Sequence, residues 1–84
     1  MRARVNITYE NKHLLESDAF EIPVLPRVGD IIHVLEFNES WWLGVEFCET
    51  AKVTEVEFWD ITRGEVFIQC TAEQLRIETK QSNT

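Results

Sequence analysis

His13, His33, Cys48 and Cys70 are the residues best suited to hold a soft or borderline metal. Structural zinc sites usually place two ligands within a few residues, so that one turn presents both. Here each ligand is fifteen or more positions from the next. The spacing predicts two buried thiols and two partly exposed imidazoles, with no metal and no cofactor. Ser17, Ser40 and Ser82 have no neighbouring base and no nucleophile elbow, and Gly29, Gly44 and Gly64 punctuate turns without building a phosphate cradle. The expectation is a protein that is not an enzyme.

Charge and aromatic residues concentrate elsewhere. From Glu36 to Asp60 the chain carries Glu36, Glu39, Glu46, Glu49, Glu55, Glu57 and Asp60 against Lys52 alone, a net of −6, where the whole chain has −7. The same stretch holds all three tryptophans, Trp41, Trp42 and Trp59. Tryptophan anchors protein interfaces and surrounding charge steers encounter. The candidate interaction residues are therefore Trp41, Trp42, Glu39, Glu46, Glu49, Glu55, Glu57 and Trp59. The plainer alternative is that the rings fill a small core and the carboxylates solvate its outside.

The acidic balance disfavours direct nucleic-acid binding and attachment to an anionic membrane, because the eight basic residues are scattered singly. No apolar run approaches a membrane span and no signal-type apolar segment opens the chain, so a cytoplasmic address is expected. The expected partner is another protein, or a second copy of this one. A second possibility is an acidic decoy, of phage or mobile-element origin, whose carboxylates occupy a basic nucleic-acid channel. A third is a small-molecule or catalytic domain, which would need a concave pocket with converging polar groups.

The elements that must position these residues are strands. Ala3, Val5, Ile7 and Tyr9 alternate with polar residues, the period of a half-buried strand. Glu10-Asn11-Lys12-His13 supplies a turn, and Phe20 and Ile22 point inward on a returning strand, giving an antiparallel hairpin over residues 3–22. Pro23 and Pro26 mark an edge or crossing loop, and Ile31 to Phe37 reads as a third strand. Two adjacent tryptophans cannot enter one core from regular β structure, since neighbours on a strand point to opposite faces. Val45 to Phe47 is a short strand and Lys52 to Asp60 a longer one, with Thr54, Val56 and Phe58 on one face and Val53 and Trp59 on the other. Val66, Ile68 and Cys70 face inward on the next. Thr71-Ala72-Glu73-Gln74 has capping-box spacing and predicts one helical or 3-10 turn near residues 71–75, before a last strand at Leu75 and Ile77.

Together these give one all-β domain over residues 1–79, a five- or six-stranded antiparallel barrel, with a frayed polar tail at 80–84. Leu25-Pro26-Arg27-Val28-Gly29-Asp30-Ile31-Ile32-His33-Val34 resembles the opening of SH3-like barrels, where a Gly-Asp turn launches a core strand. Val53 to Phe58 followed by Gly64 to Ile68 is similar to their later hairpin. The resemblance spans residues 25–78 and is nearest to small uncharacterised SH3-like proteins of bacteria and phages. It implies a fold and no activity, since such barrels carry many functions.

Overall fold

The computed structural model describes residues 1–34, 37–60, 62 and 64–77. Its strands are β1 (Arg2–Tyr9), β2 (Lys12–Glu16), β3 (Phe20–Glu21), β4 (Ile31–His33), β5 (Glu46–Phe47), β6 (Thr50–Asp60), β7 (Glu65–Ala72) and β8 (Arg76–Ile77). The main sheet has the order β2-β1-β7-β6-β4, with β3 also pairing β1, while β5 and β8 form a small second sheet. The main sheet curls into a half-barrel.

β1 is the spine of this sheet. Its inward row Ala3, Val5 and Ile7 lies beside Val66, Ile68 and Cys70 of β7, and all six are buried. Burying side chains of Val, Leu and Ile size stabilises a fold by about 1.5–3 kcal/mol each. On its other side β1 folds back into β2 through Glu10 and Asn11, whose φ angles of 48° and 68° are the positive values a two-residue hairpin turn requires. The register then shifts after Ile7, leaving Leu14 as the extra residue, so that Leu14 and Leu15 are both buried. Ser17 prolongs the pairing. Its Oγ accepts the Val5 N–H at 2.7 Å and its own N–H donates to the Val5 carbonyl at 2.9 Å. Phe20 and Glu21 then return opposite Ala3 and Arg2. The expected hairpin over 3–22 is therefore a tight β1–β2 hairpin followed by a short third strand on the same edge.

Four finer expectations need correction. The sheet is mixed, not antiparallel: β1 and β7 run parallel from Arg2↔Glu65 to Thr8↔Thr71. An alternating pattern looks the same in either direction, and only the long path between these strands allows the parallel pairing. The short helical turn is not at 71–75. Thr71 and Ala72 continue β7, where Ala72 is buried opposite Ala51, and this pairing overrides the capping-box spacing. The 3-10 turn lies instead at Glu39–Trp41. Finally, β6 carries irregularities between Val53 and Glu55 and between Phe58 and Asp60. The first shifts the face by one residue, so Val53 and Val56 lie on the same side, opposite Cys70 and Ile68. β4 is also shorter than expected, ending at His33, although Val34 still donates to the Glu49 carbonyl at 3.0 Å. The tail at 80–84 lies outside the described residues.

Candidate functional site

The corner between β4 and β5 holds the paired tryptophans. Asn38 starts it, in extended backbone, with its Oδ1 accepting from the Ser40 N–H and the Ser40 hydroxyl, each at 2.9 Å. This local cap favours a tight turn over a continued strand. Trp41 N–H reaches the Asn38 carbonyl at 3.0 Å and Trp42 N–H that of Glu39 at 3.2 Å. The turn removes the strand alternation that would have sent the rings to opposite faces. Both are half-buried and packed on the same core, an arrangement the 3-10 turn permits and a regular strand would not.

Their settings differ. Trp41 sits in an aromatic group with Phe20 at 5.2 Å and Phe37 at 5.7 Å between ring centres. Trp42 bridges to Leu15 of β2 and meets Phe47 edge-on at 6.1 Å. The next residue, Leu43, donates to the Leu14 carbonyl at 3.0 Å, which pins the corner to β2. Beside Trp42 opens a cleft of about 350 Å³ walled by Val34, Phe37, Trp42, Val45 and Phe47, with the exposed Glu39 as its carboxylate. Val45 is 64% exposed and the adjacent Leu43 54%. Aromatic walls, protruding aliphatic side chains and one acid suit an apolar side chain with basic neighbours. Among the described residues, Glu39 and the buried Cys48 are the ionisable side chains of this wall.

The remaining candidates are distributed between this corner and the β6–β7 hairpin. Glu46 pairs with Lys12, and Glu49 with the Arg76 Nε at 2.8 Å, ties that fasten β5 to β2 and the segment before β6 to β8. Glu55 and Glu57 stand on the outward face of β6, across from Gln69 and Phe67. Trp59 belongs to β6, and its side chain lies outside the described residues, as does Glu36. The sequence thus groups residues that the fold divides between two surfaces.

One polar group escaped notice in the sequence. Asn6 is only 6% exposed on the outward face of β1. Its Nδ2 donates to Gln69 Oε1 at 3.0 Å and its Oδ1 faces His13 Nδ1 at 3.3 Å. Outward alternation marks both Asn6 and Gln69, but only the parallel β1–β7 register brings them together. A satisfied amide of this kind fixes strand register. The cysteines are core residues: burial pushes the Cys48 thiol up to about 11 and the Cys70 thiol, which also feels Cys48, to about 12. Both are protonated and unreactive at neutral pH. His33 is exposed, and among the described residues no three His, Cys, Asp or Glu side chains gather as metal ligands.

Comparison with protein-family models, with curated proteins and with solved structures returns no match. Among the described residues, no helix is long and apolar enough to cross a membrane.

Proposed function

We propose that the chain is a non-enzymatic interaction module, which binds another protein by taking an apolar side chain into the cleft beside Trp42. The observation that carries this reading is the cleft itself: aromatic walls reaching the surface, flanked by the exposed Leu43 and Val45 and the carboxylate of Glu39. Covering exposed aliphatic surface supplies binding energy, and the net charge of −7 steers a basic partner toward it. The SH3-like reading of residues 25–78 belongs to the same proposal. β4 and the β6–β7 hairpin supply the strands it needs, whereas the parallel β1–β7 pair and the place of the 3-10 turn depart from it. A cytoplasmic setting fits two buried free thiols. The decoy reading has less support, because it needs carboxylates free to stand in for phosphates, and Glu46 and Glu49 are paired with Lys12 and Arg76.

The test is a selection from a displayed random-peptide library on the immobilised protein, with Val45→Glu as the counter-target. Val45 is exposed, so this variant should keep the parent melting temperature. Enriched peptides should carry a large apolar residue flanked by Lys or Arg and should bind Val45→Glu at least tenfold more weakly. Failure to enrich any sequence, or equal binding to both proteins, removes the reading.

A further inference from the structure

β6 is eleven residues long and β4 only three. β4 covers Thr50 to Lys52, and the preceding backbone extends that cover to Val53, whose N–H donates to the Asp30 carbonyl at 2.9 Å and whose carbonyl accepts from Gly29 at 2.8 Å. Past Val53, among the described residues, no backbone hydrogen bond reaches β6 from that side. Backbone groups along a strand alternate between its two edges, and the bulge after Val53 shifts that alternation by one residue. On that alternation the N–H and carbonyl groups of Val56 and Phe58 face the edge away from β7, where no strand formed by the described residues pairs with them. Exposed edges are usually blunted by Pro, by charged side chains, above all Lys, or by bulges, and a carboxylate repels a second copy while leaving the edge open to a basic strand. Here the two bulges leave a short regular run between them, Glu55 to Phe58, that contains neither Pro nor Lys.

The side chains of this run specify what fits. Val56 and Phe58 lie on the inner face, opposite Ile68 and Val66, and Phe58 is 56% exposed. Glu55 lies on the outer face, exposed and with no ion pair among the described residues. We propose that this edge of β6 accepts an extended segment of a partner protein as an additional strand, in which apolar residues alternate with Lys or Arg. Main-chain hydrogen bonds to Val56 and Phe58 supply the pairing, the apolar row covers Phe58, and the basic row meets Glu55 on the outer face. A second copy paired about Glu55 would set two carboxylates directly opposite each other, which is destabilising. This strand uses neither Trp42 nor Val45 and so goes beyond the cleft reading.

The probe is a fluorescein-labelled (Val-Lys)₄ peptide, followed by anisotropy and by amide hydrogen exchange of the protein. Saturable binding is expected, with exchange at Val56 and Phe58 slowed at least tenfold. Glu55→Lys should weaken binding at least fivefold, a peptide N-methylated at every residue and a (Val-Glu)₄ peptide should not slow exchange at Val56 and Phe58, and in Val45→Glu the peptide should slow exchange at these two amides as it does in the parent. Exchange at Val56 and Phe58 that the peptide leaves unchanged, or equal slowing by the N-methylated peptide, overturns the proposal. So does light scattering that shows a dimer whose protection at these amides rises with protein concentration, since a second copy then holds the edge.

Discussion

Single buried groups account for much of what can be measured first. The two thiols have an ordinary value of 9.0 when unfolded and are raised in the fold, to about 11 for Cys48 and about 12 for Cys70. Above pH 9 the unfolded chain therefore loses protons that the folded one keeps. Stability from this source is intact below pH 9 and falls as pH rises toward the folded values, by up to about 1.4 kcal/mol per pH unit for each thiol. Urea unfolding between pH 8 and 10.5 should show this decline, and the double variant Cys48→Ala, Cys70→Ala, though less stable at pH 7, should show a shallower one. Equal slopes would contradict the burial. Ser17 offers a second measurement. Its Oγ is the acceptor for the buried Val5 N–H, so Ser17→Ala strands that donor and should cost about 1–3 kcal/mol in the same assay. A cost within error of zero would show that the N–H finds another acceptor. In the sequence Ser17 has no visible role, because its use depends on where β1 lies.

Elements show where local signals held and where they were overruled. The alternation in β1 and in Val66-Ile68-Cys70 of β7 was legible because one face of each is buried along its length. β2 was not, since the shift after Ile7 buries two successive leucines and erases the period. The same device in β6 put Val53 and Val56 on one face. The capping-box spacing at Thr71–Gln74 is real, yet Ala72 is held by Ala51 across the sheet, and a tertiary pairing outweighs one turn's local preference. Asn38, which does start the 3-10 turn, reads in the sequence only as the end of a strand. The β1–β2 turn yields a prediction of its own. Glu10 has φ 48°, a left-handed value that an acidic side chain with a full Cβ adopts at a cost and asparagine adopts more easily. Glu10→Asn should raise stability by about 0.5–1 kcal/mol, seen as a melting temperature higher by a few degrees. A lower melting temperature would mean that the Glu10 side chain contributes more than its backbone costs.

For the whole molecule, an all-β domain was readable and its mixed topology was not, because direction leaves no mark in an alternating pattern. The acidic, tryptophan-bearing stretch 36–60 was equally plain in the sequence. Its division was not: the fold sends Trp41, Trp42 and Glu39 to the β4–β5 corner and Glu55 and Glu57 to the β6–β7 hairpin. The bland expectation for the tryptophans holds in part, since both rings of the corner cover the core. Trp41 packs against Phe20 and Phe37, and Trp42 walls the cleft. This difference sets the most direct test of the binding account. With ¹⁵N-labelled protein, the indole N–H signals of Trp41 and Trp42 are followed as a peptide selected on the parent protein is added. Trp42 should shift progressively to saturation while Trp41 stays within a small fraction of that change. A peptide that binds and moves Trp41 alone, or neither indole, would contradict binding in the cleft.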